Sequence, residues 1–346
     1  PTGVTETATV TVNIGAYNDA PVNTIPGTQT FNEDTGRVFS TANGNAISIA
    51  DVDAATGDVT TTVSVLTGTI TVGGTVGEQA VLTSITGSGT NTLVLTGTIA
   101  EINAVLQGLS YSSPLNFNGS DTLTILTNDN GNTGAGGPMT DEDTVSLIIN
   151  PVNDAPVNTV PVAQTVAEDG VLTFSAGNGN VVSVSDVDVA EGTGILSVTV
   201  GVSNGTLTLS GVSGLTFSSG DGSADATMTF TGTAADINAA LEGMTFHPVP
   251  DYNGPALLSL TTNDGGNFGS GGTLSDADTV AITVTPVVDI TNDTVTTLED
   301  TAITFNVITG TNGATADNFE GTPVLTAING TAMIAGSSVA VANGIV

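Results

Sequence analysis

The chain has no cysteine, no tryptophan and no lysine, and it carries one arginine, Arg37, and one histidine, His247, in 346 residues. Without cysteine there are no disulfides, no thiolate metal ligands and no thiol nucleophile. Without lysine, and with a lone histidine, the usual general bases, Schiff-base formers and electrostatic clamps of enzymes are missing. His247 lies in the strand-like stretch MTFHP, and its counterpart elsewhere in the chain is Ser112, so it reads as structural. Only carboxylate pairs are left for acid–base work. A glycoside-cleaving pair needs a cleft rimmed by aromatics, which make up 4% of the residues. The inventory therefore predicts a protein that is not an enzyme. One basic residue against 34 acidic ones gives a formal net charge of −33, which excludes nucleic acid as a partner and sets an anionic membrane surface against the chain. No apolar run is long enough to span a bilayer, so membrane insertion is not expected. There is no initiator methionine and no signal peptide, and the chain reads as a piece of something longer.

What is present favours strands. Apolar residues are 39% of the chain and are mainly Val, Ile, Leu and Ala, interleaved with Thr, while 44 glycines and 13 prolines supply turns. Strong acidity often goes with disorder, but disordered chains are poor in β-branched apolar residues, and here these are abundant and periodic. The chain is expected to fold, with its counter-charge drawn from solution. A cysteine-free, Thr-rich acidic chain of several domains fits bacterial secretion.

The acidic groups recur at a fixed distance. Asn18-Asp19, Glu33-Asp34 and Asp51-x-Asp53 have twins at Asn153-Asp154, Glu168-Asp169 and Asp186-x-Asp188, since 153 − 18, 168 − 33 and 186 − 51 all equal 135. This is a tandem array. Residues 1–17 read as the last strand of a preceding repeat, with Val10, Val12 and Ile14 on one face; 18–152 and 153–287 are complete repeats; 288–346 are an incomplete, divergent third. Strand-like pairs match between the repeats: Val63/Val65 with Val198/Val200, and Leu123/Ile125 with Leu258/Leu260. The segment GTITV at Gly68 is displaced by two residues against GTLTL at Gly205, which an insertion in a hairpin loop explains. Each repeat also has a short helix that opens with a capping pattern, Thr98-x-x-Glu101 or Thr233-x-x-Asp236, and stops at Gly108 or Gly243. Ile102 with Leu106, and Ile237 with Leu241, should face inward.

The Asp-x-Asp pairs carry the chemical signal. In an extended segment residues i and i+2 share a face, and two carboxylates about 4 Å apart repel by about 4 kcal/mol near a protein surface, a cost that a bound cation removes. Oxygen donors without His or Cys select Ca²⁺. The alternative is a set of solvated loop acids. Asp186 and Asp188 are followed by Ala190 and Glu191, which does not make a linear EF-hand loop, so any site must draw on separate strands.

VNDAP at the seam, Glu168-Asp169, VSVSDVD, TTNDGG at Thr261 and DTVAITVTPV together resemble cadherin-like tandem repeats, in the form found in large bacterial surface adhesins of the RTX type. The resemblance implies an all-β fold of tandem Greek-key β-sandwich (cadherin/Ig-like) domains, each with one short helix, and calcium held between successive repeats. It implies Glu33, Asn153, Asp154, Asp186, Asp188 and Asp264 as ligands at one seam, and Asn18, Asp19, Asp51, Asp53 and Asp129 at the preceding one. Pro151 stands where the cadherin linker begins with Asp, and the mid-repeat Asp-x-Glu has no counterpart, which implies one or two ions per seam. The third seam, at Val288-Asp289, lacks a following Asp-x-Asp. Asp141, Glu142 and Asp143, matched by Asp276 and Asp278, form a further acidic group, either an extra ion site or a charge that guards an edge strand.

The expected function is that of a calcium-binding extracellular stalk on a bacterial cell surface, in cell adhesion and biofilm, with calcium stiffening the seams. Its expected partners are calcium and either other copies of the same protein or surface glycans. A filament subunit assembled by strand complementation and a carbohydrate-binding module are the alternatives.

Overall fold

The computed structural model describes residues 3, 7–54, 56–266, 268–287 and a few isolated positions beyond 287. It divides into two compact units, one of residues 1–153 with 268–272 and the other of residues 154–267 with 273–346. The third repeat expected over 288–346, with its acidic seam and its strand at Ile303 and Phe305, lies almost wholly outside the described residues.

In the first unit the chain runs β1 (Val22–Thr24), β2 (Gln29–Asn32), β3 (Arg37–Phe39), β4 (Ser48–Ala50), β5 (Val59–Val65), β6 (Thr69–Thr71), α1 (Val76–Val81), β7 (Ser84–Thr86), β8 (Thr92–Gly97), α2 (Ile99–Leu106), β9 (Leu109–Ser112), β10 (Gly119–Asn128) and β11 (Thr140–Asn150). The strands form a six-stranded sheet β2-β11-β10-β5-β8-β7, a three-stranded sheet β3-β9-β6 and the pair β1-β4. In β5 the residues alternate strictly, with Val59, Val63 and Val65 buried and Thr60, Thr62 and Ser64 half-buried on the other face. The inward residues of both sheets, among them Val63, Leu93 and Leu123 from one and Phe39, Ile70 and Tyr111 from the other, share one core with Ile102 and Leu106 of α2. That is a β-sandwich with a helix on it. β2 lies parallel to the last strand, β11, and β11 runs antiparallel to β10.

The second unit repeats the plan with β12 (Val157–Thr159), β13 (Gln164–Ala167), β14 (Leu172–Phe174), β15 (Ser183–Ser185), β16 (Leu196–Val202), β17 (Gly205–Thr208), β18 (Thr216–Ser219), β19 (Thr227–Gly232), α3 (Ala234–Leu241), β20 (Met244–Pro248), β21 (Gly254–Asn263) and β22 (Ser275–Thr285). Its sheets, β13-β22-β21-β16-β19-β18, β14-β20-β17 and β12-β15, have the same order. Nothing like α1 stands between β17 and β18.

The helices begin as the sequence indicates. Thr98 accepts the Glu101 N–H, and the Glu101 carboxylate accepts the Thr98 N–H at 2.9 Å, which completes the capping box. In α3 the Thr233 hydroxyl oxygen accepts the Asp236 N–H at 3.1 Å. Ile102, Leu106, Ile237 and Leu241 are fully buried.

Two expectations are corrected. Residues 7–16 form no strand, and Val10, Val12 and Ile14 are 82%, 75% and 91% exposed. Strand preference is realised only beside a partner that completes the ladder, and among the described residues this segment pairs with none before the isolated bridge at Tyr17. The two-residue displacement also begins earlier than the sequence suggests. Ile125 pairs with Val63 and its counterpart Leu260 pairs with Val200, so Val63 and Val65 match Val200 and Val202, not Val198 and Val200. The two extra residues lie between Asp188 and β16. A run of the form VxVxV looks the same after a shift of two, so alternation alone cannot detect an even slip.

Candidate functional site

β4 is three residues long, and α2 steadies it. The Asn103 side chain accepts the Ile49 N–H and donates to the Ile49 carbonyl, both at 2.8 Å, and so acts as a strand's peptide group would. Asp51 and Asp53 follow immediately. Residues 51–53 bend, in place of the extended segment their spacing predicts, because Asp51 Oδ1 turns back to accept the N–H groups of Asp53 (2.7 Å) and Ala54 (3.0 Å). Asp51 Oδ2 is buried and accepts no hydrogen bond. Asp53 Oδ2 accepts the Asp19 N–H at 2.7 Å, which ties the incoming linker to this bend, while the Asp19 side chain is exposed.

The loop from Asp129 to Met139 clasps that linker. Asn18 N–H donates to the Ala135 carbonyl and Ala135 N–H to the Ala16 carbonyl, both at 3.0 Å. The approach needs glycine: at Gly134, φ +106°, an added Cβ would stand 2.5 Å from the Tyr17 carbonyl carbon. Inside the clasp, Asn18 Nδ2 donates to Asp129 Oδ2 (2.6 Å) and to the Gly137 carbonyl (2.9 Å). Asp129 Oδ1 accepts the N–H groups of Gly131 and Met139, each at 2.8 Å. Burial pushes the Asp129 carboxyl up, but the Met139 and Gly131 N–H groups and the Asn18 amide outweigh it and hold the group below the usual carboxylate range.

The second unit repeats the arrangement. Asn238 of α3 bonds both polar groups of Val184 at 2.8 Å. Asp186 Oδ1 accepts the Asp188 N–H at 2.8 Å, Asp188 Oδ2 accepts the Asp154 N–H at 2.6 Å, and Asp264 Oδ1 accepts the N–H groups of Gly266 (2.7 Å) and Leu274 (2.9 Å). Asp186 Oδ2, like Asp51 Oδ2, is buried and accepts no hydrogen bond. Burial, with the Asp188 and Asp264 carboxylates nearby, raises the Asp186 carboxyl above its ordinary value. Asn153 belongs to the first unit, where its N–H donates to the Ser270 carbonyl at 2.8 Å and its Nδ2 to the Gly272 carbonyl at 2.9 Å.

One end of the first repeat thus gathers Asn18, Asp19, Asp51, Asp53 and Asp129. Glu33 is at the other end, beyond the 11 residues of β11, roughly 35 Å of extended chain. There Glu33 Oε1 accepts the Val152 N–H at 2.6 Å, and in the second repeat Glu168 Oε1 accepts the Val287 N–H at 2.8 Å. Both glutamates are buried and hold the chain as it leaves the last strand. Two members of the further acidic group, Asp141 and Asp276, have a structural task. Asp141 Oδ2 accepts the Asn23 N–H (2.7 Å) and Asp276 Oδ2 the Asn158 N–H (2.8 Å), so these carboxylates latch the first strand of each repeat. In a chain without lysine, carboxylates are stabilised by backbone N–H groups.

Sequence reasoning missed Asp121, which is buried in the first repeat and accepts the N–H groups of Leu66, Thr67 and Thr122 and the hydroxyls of Thr67 and Tyr111. Ala256 and Phe246 replace Asp121 and Tyr111 in the second repeat, a paired loss that was visible as a signal. His247 is exposed on β20. Arg37 donates to Gln29 Oε1, at 2.9 Å from Nε and 2.6 Å from Nη2.

Among the described residues no three or more Asp, Glu or His side chains come together as a metal site by themselves. The oxygens open to a cation are Asn18 Oδ1, Asp51 Oδ2 and Asp186 Oδ2, each buried and without a hydrogen bond. A hard cation suits such donors, with backbone carbonyls and water completing its shell. No helix among the described residues is long and apolar enough to cross a membrane.

The family profile described as "Protein GAMETE EXPRESSED 2 domain" matches residues 39–135. Comparison with curated proteins finds no match. Among solved structures, the extracellular cadherin domains 1–5 of protocadherin gamma B2 are similar at 17% identity and a TM-score of 0.33, covering 78% of this chain and 41% of that one. Mouse cadherin-23 EC22–24 is similar at 16% identity and a TM-score of 0.28, covering 79% and 67%, and human mucin-like protocadherin EC1–2 at 14% and 0.27, covering 77% and 99%. By the sheet order of its repeats, with the first strand of the larger sheet parallel to the last, each unit has a cadherin-like and Ig-like β-sandwich fold.

Proposed function

We propose that the chain is a calcium-binding stalk segment of a large adhesin on a bacterial surface, a structural and binding role without catalysis. The observation that carries this reading is the buried oxygen without a hydrogen bond at the same place in both repeats, Asp51 Oδ2 and Asp186 Oδ2. A buried carboxylate oxygen left without a donor is costly, and a cation removes the cost. In the first repeat Asn18 and Asp51 would hold the ion, and in the second Asp186, with Asp154 and Asp188 tied into the same turn. When bound, calcium supplies positive charge and a fixed coordination shell. It thereby restricts the acidic linkers, so that a distal binding region stands away from the cell.

Calorimetric titration of calcium into the full chain tests the proposal, beside Asp51→Asn, Asp186→Asn and the double variant. At a dissociation constant of about 10⁻⁴ to 10⁻⁵ M and calcium near 1 mM, one site adds about 1.4 to 2.7 kcal/mol of stability. Each single variant should lose one class of site, and the double variant both. Magnesium, with its tighter octahedral shell, should substitute poorly. Equal melting in calcium and in chelator, with no heat of binding, would leave the acids as solvated charge.

A further inference from the structure

We infer that Asp129, which the family resemblance makes a calcium ligand, is instead a positioning residue that acts through Asn18; this rests on the calcium reading above. The two neighbours of the Asn18 amide nitrogen, the Asp129 carboxylate at 2.6 Å and the Gly137 carbonyl at 2.9 Å, can only accept hydrogen bonds. The Asn18 NH₂ must therefore face them, and the orientation of the amide is set by chemistry. Both N–H groups are consumed. Oδ1 is left pointing the other way, on a side chain 1% exposed, with no hydrogen-bond partner. A polar oxygen is buried at this cost only where something else satisfies it, and a cation is what a buried amide oxygen without a donor would take.

The bonds of Asp129 indicate how it is used. Oδ1 accepts two backbone N–H groups, from Gly131 and Met139, at opposite ends of the loop, and Oδ2 accepts the Asn18 amide. Three donors hold the carboxylate fixed and keep it ionised. It is occupied as the anchor of the clasp, whereas Asp51 Oδ2 has no such donor. This division of labour is that of an outer partner which orients a ligand, and loss of such partners typically lowers metal affinity 10- to 100-fold.

The test uses the full chain, with calcium titration and with the Asn18 side-chain amide resonances followed in chelator. In wild type the amide protons should be shifted and protected from exchange, and Asp129→Asn should abolish this and lower calcium affinity of one site about 10-fold or more. The amide introduced by Asp129→Asn would keep a carbonyl oxygen for the Gly131 and Met139 N–H groups, so the loop should survive. Asn18→Ala, which leaves the Asp129 anchor intact, should lower affinity by a similar factor. In the Asn18→Ala background Asp129→Asn should cause little further loss, because a residue that acts only through Asn18 then has nothing left to orient.

If Asp129→Asn weakens calcium binding further in the Asn18→Ala background, or if Asn18→Ala binds calcium normally, Asp129 is itself the ligand and the inference is overturned. Freely exchanging Asn18 amide protons in wild type would also overturn it. Wild type that binds no calcium overturns the proposed function together with the role of Asn18 as ligand, while the amide resonances still report whether Asp129 orients it.

Discussion

Asn103→Leu removes the side chain that hydrogen-bonds helix α2 to strand β4, and its cost follows from two hydrogen bonds. The Ile49 N–H and C=O, each bonded to Asn103 at 2.8 Å, belong to a residue 3% exposed, so water cannot replace the lost partner. Each bond is worth about 1 kcal/mol net, and a buried peptide group left unsatisfied costs about 1 to 3 kcal/mol. Leucine offers apolar contact in partial compensation, so the loss should be about 2 to 4 kcal/mol. Against a typical domain stability of 5 to 15 kcal/mol the repeat should still fold. The bend at Asp51 hangs directly on β4, so calcium affinity of the first repeat should fall as well. Urea denaturation of the full chain in chelator, with amide exchange to assign the change to one repeat, measures the effect. Asn238→Leu, which removes the same pair of bonds at Val184, should produce an equal loss in the second repeat. A loss below about 0.5 kcal/mol in both variants would refute the idea that these asparagines serve as surrogate strands.

Thr98→Ala and Thr233→Ala should each lower the stability of their own repeat by about 1 kcal/mol in the same denaturation experiment. Tyr111 is held neutral by burial and by donating to Asp121 at 2.9 Å, and Tyr111→Phe should cost about 1.5 to 3 kcal/mol because it removes a bond to a charged group. Tyr111→Phe with Asp121→Ala should cost less than the sum of the two, since the second repeat is built with Phe246 and Ala256 in their places. In chelator, Asp186 and Asp129 should respond to pH in opposite senses. The Asp186 carboxyl is raised, so its charge works against folding above the raised value, and this is relieved as pH falls through that value toward the ordinary one near about 3.9; Asp186→Asn should abolish the gain. The Asp129 carboxyl is lowered, so its contribution is present above the ordinary value and is lost as pH falls through the depressed one, which melting of Asp129→Asn at acid pH should reveal.

Where the sequence was sufficient, the information was local or periodic. The β character followed from Val and Thr alternation, and the helix starts from a hydroxyl and an acid three residues apart, because capping involves neighbours along the chain. The repeat of 135 residues is a property of the string itself. Acids of identical appearance could not be sorted in this way. Asp141 latches Asn23 across 118 positions, Asn18 meets Asp129 across 111, and Asp121 reaches Leu66 across 55, and no spacing rule contains those pairings. Only folding assigns each carboxylate its donors and leaves Asp51 and Asp186 with an oxygen to spare. The same limit explains the two misread strands. An alternating pattern states which faces a strand would have, and whether it pairs, as at Val63, or finds no partner among the described residues, as at Val10, depends on a second segment brought alongside.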